Sequence, residues 1–136
     1  MIKQLAIIMT LAVISVLFFG SCNHEQLTSD CNTQNMSYSQ NVVPILKSNC
    51  YKCHSTGNSV GSYGHLLDNY DTLTKYYTLR TYPIIVGGDT ITYISYLEGV
   101  ITHTQPYIAM PYMDGKLDTC AIKQIQAWIT QGAPDN

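Results

Sequence analysis

The sequence is poor in charged residues and in phenylalanine. Lys, Arg, Asp and Glu make up 12% of its 136 residues, the formal net charge is −2, and the only arginine is Arg80. Binding to nucleic acid depends on a basic surface, so this composition argues against a nucleic-acid partner. Phe18 and Phe19 are the only phenylalanines, against eleven tyrosines. The aromatic residues after residue 21 are therefore tyrosines and one tryptophan, whose rings join apolar faces to a polar group.

The sequence also lacks an apolar run long enough to cross a membrane as a helix. The longest run, residues 5–19, is broken by Thr10 and Ser15, and a spanning helix needs roughly 18 apolar residues or more. With Lys3 ahead of it, this run is typical of a secretory signal peptide, which we predict for residues 1–21.

A cysteine follows small residues at the end of this leader. The order Phe19-Gly20-Ser21-Cys22 resembles the lipobox of bacterial lipoproteins. It implies that Cys22 is lipidated and holds the protein on a membrane of the cell envelope, the outer membrane being favoured, facing the periplasm or the cell surface. Ordinary signal cleavage and an uncleaved anchor are the alternatives, and all three place the chain outside the cytoplasm, where disulfides persist. Residues 22–36 are polar and are predicted to be a tether.

One cysteine and histidine spacing has a defined chemistry. Residues 50–54 read Cys50-Tyr51-Lys52-Cys53-His54, the C-x-x-C-H pattern by which c-type haem is attached. Two cysteines three positions apart on a helical turn can each capture one haem vinyl group as a thioether, and the next histidine can bind iron. We predict one covalent haem c on Cys50 and Cys53, with His54 as an axial ligand.

A zinc site and a redox-active thiol pair are the other uses of these cysteines. A zinc site needs four ligands, but the sequence contains no second C-x-x-C and no H-x-x-x-H, and Cys31 and Cys120 stand alone. A redox-active thiol pair of the thioredoxin type would be embedded in a βαβ unit, which the residues around Cys50 do not predict.

Helical patterns precede the motif and end the chain. Ser37-Tyr38-Ser39 offers candidate N-caps for a helix that runs to about Asn49, with Pro44 limiting its regular part to residues 43–50. Asp71 is a candidate N-cap for a helix over 72–79. Asp118 and Gly132 bound a predicted helix over 119–131, in which Trp128 is expected to form a wall beside the haem. Residues 91–101 fit a strand or a short helix, and helix is favoured because no second strand is predicted to pair with them.

The sixth ligand of the iron has several candidates. Met110 follows His54 by 56 residues, beside Pro111 and ahead of the last predicted helix, which is enough chain to return over the opposite face of the haem. A thioether is apolar enough to be buried and soft enough to bind iron. Met110 is favoured, and Met113, His103 or an open position are the alternatives.

Residues 37–136 resemble a class I-like cytochrome c domain, of the single-haem type carried by bacterial lipoproteins. The resemblance rests on Val43-Pro44-Ile45-Leu46, Cys50-x-x-Cys53-His54, Ile101-x-His103, Met110-Pro111, Lys116-Leu117-x-x-Cys120 and Trp128-Ile129-x-x-Gly132-Ala133. It implies an all-α fold whose first and last helices cross beside the haem, with His54 and Met110 as the axial pair. Residues 57–99 match little, so no haem contact is inferred there.

The function implied is electron transfer to and from redox partner proteins, without enzymatic activity of its own. A haem enzyme or gas sensor with an open sixth site, and a haem module of a larger membrane redox complex, are the alternatives. Arg80 is a candidate partner for a haem propionate on charge alone.

Cys31 and Cys120 are then the only cysteines without an assigned role. In an oxidising compartment they are predicted to form a disulfide that ties the tether to the start of the last helix. Two buried free thiols are the alternative.

Overall fold

A computed structural model describes residues 31–58, 63–88 and 90–136. These residues form four helices and one two-stranded antiparallel sheet, and two of the helices change from one helical type to another. In chain order the elements are α1 (π-helical Tyr38–Val42, then α-helical Val43–Asn49), α2 (Tyr70–Thr72, then π-helical Leu73–Thr78), β1 (Thr81–Val86), β2 (Thr90–Ser95), α3 (Tyr96–Thr102) and α4 (Thr119–Thr130). None of the helices in these ranges is both long and apolar enough to span a membrane.

Polar side chains begin each helix. The side chain of Asp118 accepts hydrogen bonds from the backbone N–H groups of Cys120 and Ala121, which confirms its predicted role as the N-cap of α4. Asn69, rather than the predicted Asp71, caps α2, because its side chain accepts from the N–H of Thr72. Ser37, one of the predicted N-cap candidates, caps α1, which begins at Tyr38 with turns of the wider π type ahead of Pro44.

The prediction of an all-α fold is wrong. Residues 81–86 pair antiparallel with residues 90–95, with Ile84 opposite Thr92 and Ile85 opposite Ile91. The helix that was favoured over residues 91–101 begins only at Tyr96, and the residues before it form β2. Thus β2 does have the partner strand that the sequence was expected to lack.

The partner strand β1 was overlooked because of the residues within and after it. Proline is unfavourable inside a strand, but a strand at the edge of a sheet tolerates it, and here Pro83 lies opposite Tyr93. Gly87 and Gly88 both have positive φ (66° and 98°) and lie in the turn of the hairpin. β-Branched residues on both strands then favour the pairing.

The buried core lies between α1, α3 and α4. Its largest fully buried side chain is Trp128, which stacks on Tyr38 at 5.5 Å between ring centroids and donates from Nε1 to the carbonyl of Pro134 at 3.0 Å. The first and last helices therefore pack directly on each other. Trp128 belongs to this core and is not among the residues that border the cavity described below, so it is not the haem-side wall that we predicted.

The folded part extends further toward the N-terminus than residue 37. Met36 is 1% exposed, and its N–H donates to Oε1 of Gln131 at 2.8 Å. Cys31 is joined to Cys120 by a disulfide with an S–S distance of 2.06 Å. The last residues of the predicted tether therefore pack on α4. The predicted lipidation site Cys22, the rest of the tether and the predicted signal peptide lie outside the described residues.

Candidate functional site

A cavity of about 550 Å³ opens beside the end of α1, α3 and the segment that precedes α4. This volume lies within the range of roughly 300–1,000 Å³ that is usual for small-molecule and cofactor pockets. All four residues predicted to hold the haem border it. They are Cys50, Cys53, His54 and Met110.

The two motif cysteines lie on a tight turn directly after α1. The N–H of Cys53 and the N–H of His54 both donate to the carbonyl of Cys50, at 3.0 and 2.9 Å. Both thiols are free rather than joined to each other, Cys50 partly buried and Cys53 exposed. Both cysteines thus follow the end of α1 and border the same cavity, as the spacing requires for two thioether bonds.

A hydrogen bond fixes which nitrogen of His54 is available to a metal. Nδ1 of His54 lies 2.8 Å from the backbone carbonyl of His65. Because a carbonyl oxygen can only accept, Nδ1 carries a proton, and in the neutral imidazole Nε2 is then the nitrogen with the free lone pair. A backbone partner of this kind is usual behind a metal-binding histidine, since it sets both the tautomer and the ring orientation.

Residues 65–68 hold the turn that carries His54. The N–H of Leu67 donates to the carbonyl of His54 at 2.8 Å, and Oδ2 of Asp68 accepts from the N–H of Thr56 at 2.7 Å. The bond from Thr56 lowers the pKa of the Asp68 carboxyl. The position of His54 therefore depends on a segment eleven to fourteen residues further along the chain.

Aromatic side chains from α2 and α3 form another part of the cavity wall. Nδ1 of His65 lies 2.8 Å from the hydroxyl of Tyr77, and the ring of His65 stacks on Tyr96 at 6.2 Å. Burial raises the pKa of the Tyr77 phenol, which stays protonated at neutral pH. Sequence reasoning assigned no site residue in this region; the high tyrosine content was its only signal, and it did not say which tyrosines meet.

Met110 is held at the cavity through its backbone. Its N–H donates to the carbonyl of Val100 at 3.0 Å, and its carbonyl accepts from Nε2 of His103 at 3.1 Å. Both bonds join the segment before α4 to the C-terminal end of α3. The side chain of Met110 is partly buried against the core and borders the cavity.

The other candidates for the sixth ligand lie elsewhere. Met113 is 92% exposed, and neither Met113 nor His103 borders the cavity. The guanidinium of Arg80 lies over the ring of Tyr82, 5.4 Å from its centroid, and also does not border the cavity. Among Met110, Met113 and His103, Met110 is thus the one that borders the cavity together with His54.

The structure can also be compared with the requirements of a zinc site and of a redox-active thiol pair, the other uses of the motif cysteines. No group of three or more potential metal-ligating side chains, counting His, Cys, Asp and Glu, occurs within residues 31–58, 63–88 and 90–136, whereas a structural zinc site needs four. Burial raises the pKa of the Cys50 thiol to about 11. A redox-active or catalytic thiol needs a lowered pKa, because the thiolate is the reactive form.

This pKa predicts a difference in thiol reactivity in protein free of cofactor. At pH 8, a thiol with a pKa of about 11 should have about a hundredfold less thiolate than one with a pKa near 9. Iodoacetamide should therefore label Cys50 slowly, with labelling increasing as the pH approaches 11, and Cys53 should react first because its side chain is exposed. Peptide mass mapping after timed labelling measures this order; equal rates at pH 8 would contradict it.

The donor set fits a covalently bound haem. Two free thiols lie beside the cavity with the correct spacing, one imidazole is oriented with Nε2 free, and a thioether comes from a distant segment. Much of the remaining wall is apolar, including Leu67, Leu97, Val100 and Ile101, as a porphyrin face requires. No protein-family model, no curated protein and no solved structure matches this chain.

Proposed function

We propose that the protein is an electron carrier with one covalently attached haem c. Cys50 and Cys53 would hold the haem through thioether bonds, and His54 and Met110 would be its axial ligands. The observation that carries the proposal is that these four residues, which come from two segments more than fifty residues apart, border one cavity.

A haem held by histidine and methionine supplies one-electron redox chemistry and, with both axial positions filled, binds no substrate at the iron. The chain contributes the geometry for this. The hydrogen bond from His54 Nδ1 to the carbonyl of His65 keeps Nε2 directed as a ligand, and the two backbone bonds of Met110 keep its segment against α3. The apolar side chains of the wall would shield a bound haem face from water.

The place of action follows from the leader. With Cys22 lipidated, the domain would act in the cell envelope, bound to a membrane through its N-terminal lipid and exchanging electrons with redox partner proteins. The free-standing carrier and the haem module of a larger membrane redox complex share this site chemistry. Isolation of the solubilised protein with or without a bound catalytic chain separates them.

The proposal is tested by spectra of the isolated protein. We expect a covalently bound haem, shown by a mass increase that survives denaturation, and a ferrous form that does not bind carbon monoxide. The ferric form should show the weak far-red band that marks sulfur ligation. Rapid binding of carbon monoxide by the ferrous protein would instead indicate an open sixth site, as in a haem enzyme or gas sensor. A protein without covalent haem would overturn the proposal as a whole.

A further inference from the structure

We propose that Gly99 and Tyr107 are positioning residues that determine which residue of the segment before α4 reaches the cavity as the sixth ligand. The inference rests on the proposed function, because it concerns the binding of the iron by Met110. Residues 103–110, here called the Met110 segment, contain no helix or strand, so their register relative to α3 depends on individual contacts. The contact between Gly99 and the ring of Tyr107 leaves no room for a side chain on the helix.

Gly99 lies inside α3, where glycine is unfavourable because its backbone loses more freedom on folding than that of other residues. The backbone does not explain the glycine, since Gly99 is not among the residues with positive φ. A Cβ atom at this position would lie 2.5 and 2.6 Å from Cε2 and Cγ of Tyr107, and closer still to Cδ2. Among the glycines that the structure describes, this is the one at which an added Cβ would come within 4 Å of another residue. The ring of Tyr107 is therefore the reason for glycine at this position.

Several contacts hold Tyr107 against α3. Its ring meets the ring of Tyr96, the first residue of α3, edge to face with the centroids 5.6 Å apart. The N–H of Tyr107 donates to the carbonyl of Thr104 at 2.9 Å, and the N–H of Thr104 donates to the carbonyl of Gly99 at 3.0 Å. Gly99 thus holds the Met110 segment in two ways, through its carbonyl and through the space that its missing side chain leaves.

A hydrogen bond three residues further along places Met110. Its N–H donates to the carbonyl of Val100 at 3.0 Å. With Tyr107 fixed on α3, three residues lead from the ring contact to this bond. A shift of the Met110 segment by one residue would bring Ala109 or Pro111 to the place of Met110, and neither side chain has an atom that can bind iron.

A positioning role differs in its consequences from a purely structural one. If the contact only stabilises the fold, its loss lowers the free energy of unfolding and leaves the sixth ligand in place. If the contact sets the register, its loss weakens the binding of Met110 to the iron in a protein that stays folded. Added imidazole measures the difference in the ferric protein. It binds the iron only where Met110 has left, so its apparent affinity rises with the fraction of protein whose sixth position is free.

The test compares variants of the haem-loaded protein at these two positions. Gly99→Ala should raise the apparent imidazole affinity about tenfold or more, because the added methyl group displaces the ring of Tyr107. Tyr107→Ala should act in the same direction, whereas Tyr107→Phe, which keeps the ring, should stay within about twofold of the unsubstituted protein. In the Tyr107→Ala background, Gly99→Ala should add less than about twofold, because the contact is already lost. The far-red band of sulfur ligation should weaken in Gly99→Ala and Tyr107→Ala.

A core substitution controls for general loss of stability. Ile125 is buried in α4 and does not border the cavity. Ile125→Val should lower the free energy of unfolding but leave the imidazole affinity within about twofold of that of the unsubstituted protein. Hydrogen exchange at the backbone N–H of Met110 gives a readout that does not depend on the iron. It should become faster in Gly99→Ala, because the bond to the carbonyl of Val100 opens.

Unchanged imidazole affinity in Gly99→Ala or in Tyr107→Ala would overturn the inference. An equal rise in Tyr107→Phe or in Ile125→Val would overturn it as well, since neither removes the ring contact. If Gly99→Ala does not fold, the comparison of Tyr107→Ala with Tyr107→Phe decides. A free sixth position in the unsubstituted protein contradicts the proposed function itself, whereas a filled position that Gly99→Ala leaves filled contradicts only the roles of Gly99 and Tyr107.

Discussion

Replacement of Met110 by alanine is expected to open the sixth coordination position of the haem iron. The ferric protein should lose the far-red band of sulfur ligation, the ferrous protein should bind carbon monoxide rapidly, and the reduction potential should fall, because methionine ligation raises it. Of the three candidates for the sixth ligand, Met110, Met113 and His103, Met110 is the one that borders the cavity. No other candidate thioether is therefore placed to take over.

Met113→Ala is the matched control for this substitution. It removes the same side chain three residues further along, from a position that is almost fully exposed and does not border the cavity. Its absorption spectrum, carbon monoxide binding and potential should equal those of the unsubstituted protein. If Met113→Ala opens the sixth position and Met110→Ala leaves the spectrum unchanged, the axial ligand is Met113. If neither substitution changes the spectrum, the sixth ligand is not a methionine of this segment.

Removal of the Cys31–Cys120 disulfide is expected to cause the largest loss of stability. The two residues are separated by 89 positions, and loss of the cross-link should lower the free energy of unfolding by about 4–5 kcal/mol from loop-closure entropy. A loss of this size is a large fraction of the total stability of a small domain. Urea unfolding of the Cys31→Ala, Cys120→Ala protein against the unsubstituted protein measures it.

Chemical reduction supplies the control for the double substitution. Reductant should destabilise the unsubstituted protein by about the same amount and leave the variant unchanged, because Cys50 and Cys53 carry no mutual disulfide. An unfolding midpoint that is insensitive to reductant would contradict the disulfide and favour two buried thiols. Intact mass before and after reduction checks the bond directly, by the gain of two hydrogens.

The local features of the site were within reach of the sequence, since they depend on residues close together in the chain. The turn that carries Cys50, Cys53 and His54 is set by spacing alone, and the capping of α4 by Asp118 depends on the next three residues. The hairpin was missed because a strand is recognised through its partner. Here the partner strand contains Pro83, and residues 91–101 fit a helical pattern as well as a strand.

Long-range contacts were the part of the site that the sequence could not supply. No periodicity relates the carbonyl of His65 to the ring of His54, or Nε2 of His103 to the carbonyl of Met110. Both bonds form only when the chain has folded back on itself. The burial of Met36 is a similar case, because the segment around it is polar and only its contact with α4 makes it part of the core.

The disulfide sets how far the domain could stand from a membrane. If Cys22 carries a lipid, nine residues connect the membrane to the cross-link at Cys31, and at full extension they reach about 30 Å. Without the disulfide, this connecting segment would continue to Met36, the next residue that is buried in the core. The cross-link would therefore shorten this connecting segment by about a third, and with the proposed haem and lipid in place it would keep the haem near the bilayer, where a membrane-bound partner would have a high effective concentration.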